Sequence, residues 1–311
     1  MPAQQPIRLV VHVGPHKTGS TSVQQALAAA RESLAERGVW YPPSLPGATW
    51  PIQHADAWLL LRHGRRAEFD RWLDDCRDQA LGRGCDTLLL SSENFHAPRT
   101  RPALAAALAR HRRINGGESR YVFVRRDIHD LARSRALSHI AGETGFYVLH
   151  RYELRPWACQ FIALQLQHQR WFKRRGGRFV DLGDGQRQAL AARVLEAATD
   201  RPFNDIVNGD QNATAGRIVN AQAILSYGLR VMHHLASGDG VNVPRSFAAA
   251  RLVLGKTDVD DEAFAALAAA FSTAVSREVD LGIADFERLG PVAREWRIRF
   301  ARDGRRQDSG Q

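Results

Sequence analysis

Eight residues near the N-terminus, Gly14-Pro15-His16-Lys17-Thr18-Gly19-Ser20-Thr21, have the composition of an anion-binding turn. They follow an apolar, β-branched run, Ile7–Val13, that reads as a buried strand. They lead into Ser22–Gly38, where Val23, Leu27, Ala30 and Leu34 recur at helical spacing and Gly38 ends the helix. A strand that turns through glycines into a helix N-terminus aims backbone N–H groups at a ligand, and the helix dipole adds positive potential. Gly14 and Gly19 permit the turn, Lys17 brings a mobile charge, and Ser20 and Thr21 bring hydroxyls. Lysine is rare in this chain, with Lys17, Lys173 and Lys256 the only three, so its place inside this turn is informative. The loop is not that of an ordinary NTPase. The GxxxxGK[ST] pattern matches at Gly14 and Gly19, but Ser20 stands where its lysine belongs.

The run HVGPHKTGSTSVQQ resembles the 5′-phosphosulfate loop of the sulfotransferases, whose usual form is close to K-[TS]-G-[TS]-[TS]. Gln24, Gln25 and the later Trp40-Tyr41-Pro42 resemble the bacterial members. These enzymes transfer a sulfuryl group from 3′-phosphoadenosine 5′-phosphosulfate (PAPS) and release adenosine 3′,5′-bisphosphate (PAP). The resemblance implies that Lys17, Thr18, Gly19, Ser20 and Thr21 hold the 5′-phosphate and the sulfuryl group. It also implies that no metal is required. The family's second signature is an arginine at a strand end and a serine eight residues on, both binding the donor's 3′-phosphate. Here YVFVRRDIHDLARS places Arg126 and Ser134 at that spacing, whereas Arg125 would pair with Arg133. Arginine offers a planar fork to a phosphate dianion. Ile128 departs from the proline that often follows two residues after the arginine.

A third strand ends Leu88-Leu89-Leu90-Ser91-Ser92-Glu93-Asn94-Phe95-His96. In a parallel sheet the strand C-termini lie beside the phosphate loop. Sulfuryl transfer needs a base for the acceptor's proton and cations for the leaving oxygen. Glu93 suits the first role and Lys17 the second. The resemblance allows a glutamate or a histidine as base near this strand end, so His96 is the alternative. His54, at the start of a helix after Tyr41-Pro42-Pro43, stands where bacterial relatives often carry a histidine, and with His96 it is expected to face the acceptor. The acceptor is expected to contact the segments Pro43–Arg66 and Gly142–Arg155. The Asn208–Thr214 loop resembles an Asn-rich segment of the relatives.

The elements that would position these residues alternate. Strands are expected at Ile7–Val13, Val39–Tyr41, Asp86–Ser91, Arg120–Arg125 and Arg178–Leu182. Helices are expected at Ile52–Arg62, Ala67–Leu81, Arg101–Arg112, Asp127–Ala141, Pro156–Arg175, Arg187–Ala198, Ile218–His234 and Asp261–Val275. This alternation predicts an α/β fold, a central parallel β-sheet flanked by helices with helical additions in the C-terminal half, and the resemblance implies that it is of the P-loop NTPase-like sulfotransferase kind. The expected organisation is one domain, with residues 1–150 binding the donor, 151–300 on the acceptor side, and 301–311 a frayed tail. Trp157, Phe161, Trp171 and Phe172 read as core aromatics.

The 311 residues carry 43 Lys+Arg against 33 Asp+Glu, a net charge of +10 that calls for an anionic partner. A phosphorylated cosubstrate answers that, and peripheral contact with an anionic membrane remains open. A nucleic-acid partner is not expected, because no binding motif appears and the basic residues are spread along the whole chain. No apolar run approaches the roughly 20 residues of a membrane span. The N-terminus lacks the basic segment of a signal peptide. Cys76, Cys85 and Cys159 share no metal-binding spacing and read as reduced thiols of a cytoplasmic protein. A small-molecule or glycan acceptor, with a glycolipid included, completes the expectation. The alternative is a P-loop nucleotide-dependent kinase.

Overall fold

The computed structural model describes residues 6–141, 154–183, 188–206 and 261–300. The chain divides into two compact units. One comprises Met1–Asp127 with Gln165–Asp210, the other Ile128–Leu164 with Gln211–Gln311. The predicted helix Ile218–His234, the Asn208–Thr214 loop, most of the acceptor segment Gly142–Arg155 and the tail 301–311 lie outside the described residues.

The first unit is an α/β layer structure. Its strands are β1 (Arg8–Val13), β2 (Val39–Trp40), β3 (Thr87–Ser91), β4 (Ser119–Arg126) and β5 (Arg178–Leu182). They form a five-stranded sheet of order β2-β3-β1-β4-β5, and every pairing is parallel. Its helices are α1 (Ser20–Ala29), α2 (Arg31–Glu36), α3 (Ala55–Arg62), α4 (Arg66–Gly82) and α5 (Arg101–Asn115). After α6 (Ile128–Ala141) of the second unit come α7 (Leu154–Lys173), which runs from the second unit into the first, and α8 (Leu190–Thr199).

A parallel sheet must be covered on both faces, because its crossover helices lie there. β1 therefore has to be apolar throughout, and it is buried along nearly its whole length. Successive side chains alternate between the faces. Leu9, Val11 and Val13 join Leu88, Leu90 and Phe123 under α3, α4, α5 and Phe172 of α7. Val10 joins Leu89, Val122, Val124 and Val180 under Val23 and Leu27 of α1 and Leu190, Val194 and Leu195 of α8. Gly117 keeps the start of β4 close to the start of β1, since a Cβ there would lie 1.9 Å from the Ile7 carbonyl oxygen.

The expected single helix from Ser22 to Gly38 is interrupted at Ala30. The interruption accompanies a hydrogen bond from Arg31 Nε to the Tyr41 carbonyl, 2.8 Å. Gly38, at φ +81°, turns the chain into β2, and its carbonyl accepts from Asp86 and Thr87 ahead of β3.

In the second unit α9 (Asp261–Arg288) continues 13 residues beyond the predicted Val275, because its apolar periodicity runs on through Val279, Ile283 and Phe286, all buried. α10 (Pro291–Phe300) follows Gly290 and has proline at its first position, where the missing N–H costs nothing. Its basic sequence hid it. Arg133 on α6 grips Asp280 on α9 with two hydrogen bonds of 2.9 and 3.0 Å. All three cysteines are free and buried. Among the described residues no helix is long and apolar enough to cross a membrane.

Candidate anion-binding site

The loop Gly14–Gly19 leaves β1 at the centre of the sheet, between β3 and β4. The helix after β1 packs on one face of the sheet and α5, the helix after β3, packs on the other. Diverging connections open a crevice at the C-terminal strand ends, the usual place for a ligand in such sheets. His12 lies opposite Ser91 of β3, and Val13 opposite Phe123 of β4. β4 then runs three residues further, so Arg126 lies alongside the loop.

The loop is held from within. Thr18 Oγ1 donates to the Pro15 carbonyl at 2.7 Å and lies 3.2 Å from Ser20 Oγ. Because the Thr18 hydrogen is committed to Pro15, Ser20 is the donor of that pair. Both side chains are buried. Gly14 is confined by the same two hydroxyls: a Cβ there would lie 2.9 Å from Thr18 Oγ1 and 3.3 Å from Ser20 Oγ. Two of the hydroxyls expected to meet a phosphate thus brace the turn, and Thr21, exposed on the first turn of α1, is the one turned outward.

Lys17 and Gly19 both have left-handed backbones, φ +74° and +80°. Glycine adopts this freely, but a lysine there is strained by about 1–2 kcal/mol. The strained residue is exposed, and its ammonium makes no hydrogen bond or ion pair among the described residues. Gly19 is the N-cap of α1 and provides no side-chain cap, and the first turn carries no acidic residue. The first N–H groups of α1 and the Lys17 charge therefore act in the same direction.

Arg126 Nη1 donates to the Lys17 carbonyl at 3.3 Å. The arginine of the second expected signature is thereby joined to the first loop. Neighbouring Arg125 is instead paired with Asp181 of β5. Ser134 lies on α6 in the second unit and is partly exposed.

On the β3 side, Ser92 Oγ accepts from the Asn94 N–H and starts a 3-10 turn over Glu93–His96. Phe95, fully buried, anchors that turn in the core. The turn brings Glu93 to the loop, where its Oε2 contacts His16 Nδ1. His96 Nδ1 donates to the Glu93 carbonyl. The His96 ring meets His16 edge-on at 6.3 Å and the buried ring of His168, from α7, at 4.9 Å. His16 and His168 carried no role in the sequence reading. His16 sat in plain view inside the loop, but only the pairing of β1 with β3 connects it to Glu93.

His54 is placed elsewhere. It is buried, its Nε2 donates to the Pro42 carbonyl at 3.0 Å, and its Nδ1 accepts from the Ser91 N–H at 2.8 Å. Burial lowers its pKa to about 4, so the ring is neutral. With both nitrogens engaged, His54 ties the segment before α3 to the end of β3, and the expectation that it faces an acceptor draws no support from this geometry. Trp171 and Phe172 are core-packed against Tyr121.

The assembled group is thus an uncapped helix start, an exposed lysine, a latched arginine and a carboxylate–imidazole pair. It can hold an anion and take up a proton next to it. No family model, curated protein or solved structure matches this chain.

Proposed function

We propose that this protein is a sulfotransferase that moves a sulfuryl group from PAPS to a hydroxyl or amine of an acceptor, with a glycan or glycolipid the favoured class. The observation that carries the reading is the hydrogen bond from Arg126 to the Lys17 carbonyl. It joins the two sequence signatures at one point, although they are more than a hundred residues apart in the chain.

In this reading the loop 17–21 and the start of α1 receive the donor's 5′-phosphosulfate. Arg126 binds the 3′-phosphate and so selects this donor over ATP. The acceptor oxygen attacks sulfur in line with the departing phosphate oxygen. Lys17 and the α1 N–H groups stabilise the charge that gathers on that oxygen. The base function lies with Glu93 and the His16 ring in contact with it, and no step needs a metal. The kinase alternative is disfavoured by Ser20: the position of the NTPase lysine is taken by a buried hydroxyl bonded to Thr18. A cytoplasmic location fits three buried thiols, whose pKa values burial raises.

Calorimetric titration with PAP, run beside ATP with Mg²⁺, tests the reading without knowledge of the acceptor. Micromolar PAP binding in the absence of metal supports it. Binding of ATP–Mg²⁺ with no binding of PAP would replace it with the kinase.

A further inference from the structure

The contact between His16 and Glu93 divides the base function between two groups. Glu93 is the inner member, with 14% of its side chain exposed against 40% for His16. A carboxylate only accepts, so the shared hydrogen is on His16 Nδ1. In the neutral ring the lone pair is then on Nε2, at the opposite edge, and Nε2 makes no hydrogen bond among the described residues. A base must reach the proton it removes, and the carboxylate is less able to do so than the ring in front of it.

The other groups around the ring are Lys17, next in the chain and exposed, and His96, edge-on at 6.3 Å with His168 behind it. His96 is held by its Nδ1–H on the Glu93 carbonyl, and its own carbonyl accepts from Arg101 Nε at 2.8 Å. Glu93 is thus the anion in contact with His16 and can stabilise it once charged.

We propose that His16 Nε2 is the atom that removes the acceptor's proton, with Glu93 as a positioning residue that fixes the tautomer and stabilises the imidazolium. This rests on the sulfotransferase reading. The acceptor oxygen forms a bond to sulfur as its O–H bond breaks. The proton passes to Nε2, the bond from sulfur to the bridging oxygen breaks, and that electron pair leaves on the 5′-phosphate of PAP. The imidazolium returns its proton to water once the sulfated product departs.

The test uses the full chain with PAPS as donor and water or 4-nitrophenol as acceptor, and reads the kinetics of PAP release. The variants are His16→Asn, which keeps a donor toward Glu93 but has no Nε2, and Glu93→Gln. PAP affinity reports that the donor site is still folded. His16→Asn should lower PAP release by ~10²–10⁴ with PAP affinity retained. Glu93→Gln, whose amide oxygen still accepts from Nδ1 but carries no charge to set against an imidazolium, should lower kcat for PAP release while the KM for PAPS and the PAP affinity stay unchanged. Wild-type rates in His16→Asn would overturn the proposal and return the base to Glu93 or His96. PAP binding by the wild type without PAP release from PAPS would also overturn it, since a base presented to solvent always has water as an acceptor. Failure of the wild type to bind PAP would instead overturn the sulfotransferase reading.

Discussion

Arg126 Nη1 lies 3.3 Å from the main-chain oxygen of Lys17, so the end of β4 and the loop after β1 share a hydrogen bond. The guanidinium carries five N–H donors, and one bond to a carbonyl leaves most of the fork for an anion. Arg126→Ala should weaken PAP binding by roughly 10- to 100-fold, the range for a charge-assisted hydrogen bond. Arg126→Lys should restore only part of the loss, because an ammonium has no planar fork. Calorimetry on both variants measures this.

Lys17 separates function from stability. Its φ of +74° makes the position costly for any residue with a Cβ. Lys17→Gly should therefore be more stable than Lys17→Ala, by about 1 kcal/mol. Both should lose donor affinity to a similar degree. Urea unfolding and PAP titration on the pair check the two halves. Equal stabilities would show that the left-handed backbone at this residue is unstrained.

The two sides of the loop were legible to different degrees. Gly14 and Gly19 between an apolar run and a helical period announce a strand-to-helix turn by themselves, since each acts through local backbone geometry. The strands were legible too, because burial on both faces leaves runs such as Leu88–Leu90 with no polar residue. Partners brought together by strand order were not. Nothing in the sequence says that β3 and not β2 lies next to β1, and this decides that Glu93 meets His16. The partners of His54 were hidden for the same reason: nothing in a histidine at a helix start tells that its ring bonds the Pro42 carbonyl and the Ser91 N–H. α10 was missed because Arg294, Glu295, Arg297 and Arg299 break up the apolar period of a short segment.

Two buried histidines make stability depend on pH. Burial lowers the pKa of His12 and of His54 to about 4, against 6.5 when unfolded. The folded rings stay neutral while the unfolded rings bind protons below 6.5. Their contribution is thus complete above about pH 6.5, is lost as pH falls, and levels off below about 4. His111 is shifted in the same direction by burial. Between these limits stability should fall by about 1.4 kcal/mol per pH unit for each such ring. Urea unfolding from pH 7.5 to 4.5 should show unfolding coupled to uptake of about two protons near pH 5. A flat profile would mean that these rings are solvated.

Gly14 and Gly117 test how tightly β1 is enclosed. A Cβ at Gly117 would meet the Ile7 carbonyl at 1.9 Å, which no side-chain rotation relieves. Gly117→Ala should be strongly destabilising, by more than the about 1–3 kcal/mol of ordinary overpacking. At Gly14 the nearest atom is the Thr18 hydroxyl, 2.9 Å away, which can turn at the expense of its bond to Pro15. Gly14→Ala should cost less in stability yet disturb the loop, lowering PAP affinity more than the melting temperature suggests. Thermal unfolding beside PAP titration distinguishes the two cases.

The most direct test of the donor site is the affinity for PAP set against that for adenosine 5′-monophosphate, in the wild type and Arg126→Ala. The two ligands differ only in the 3′-phosphate. The wild type should prefer PAP strongly, on the order of 10²-fold, and the preference should collapse in Arg126→Ala while the monophosphate affinity stays the same. Equal wild-type affinities, or a preference untouched by Arg126→Ala, would contradict it.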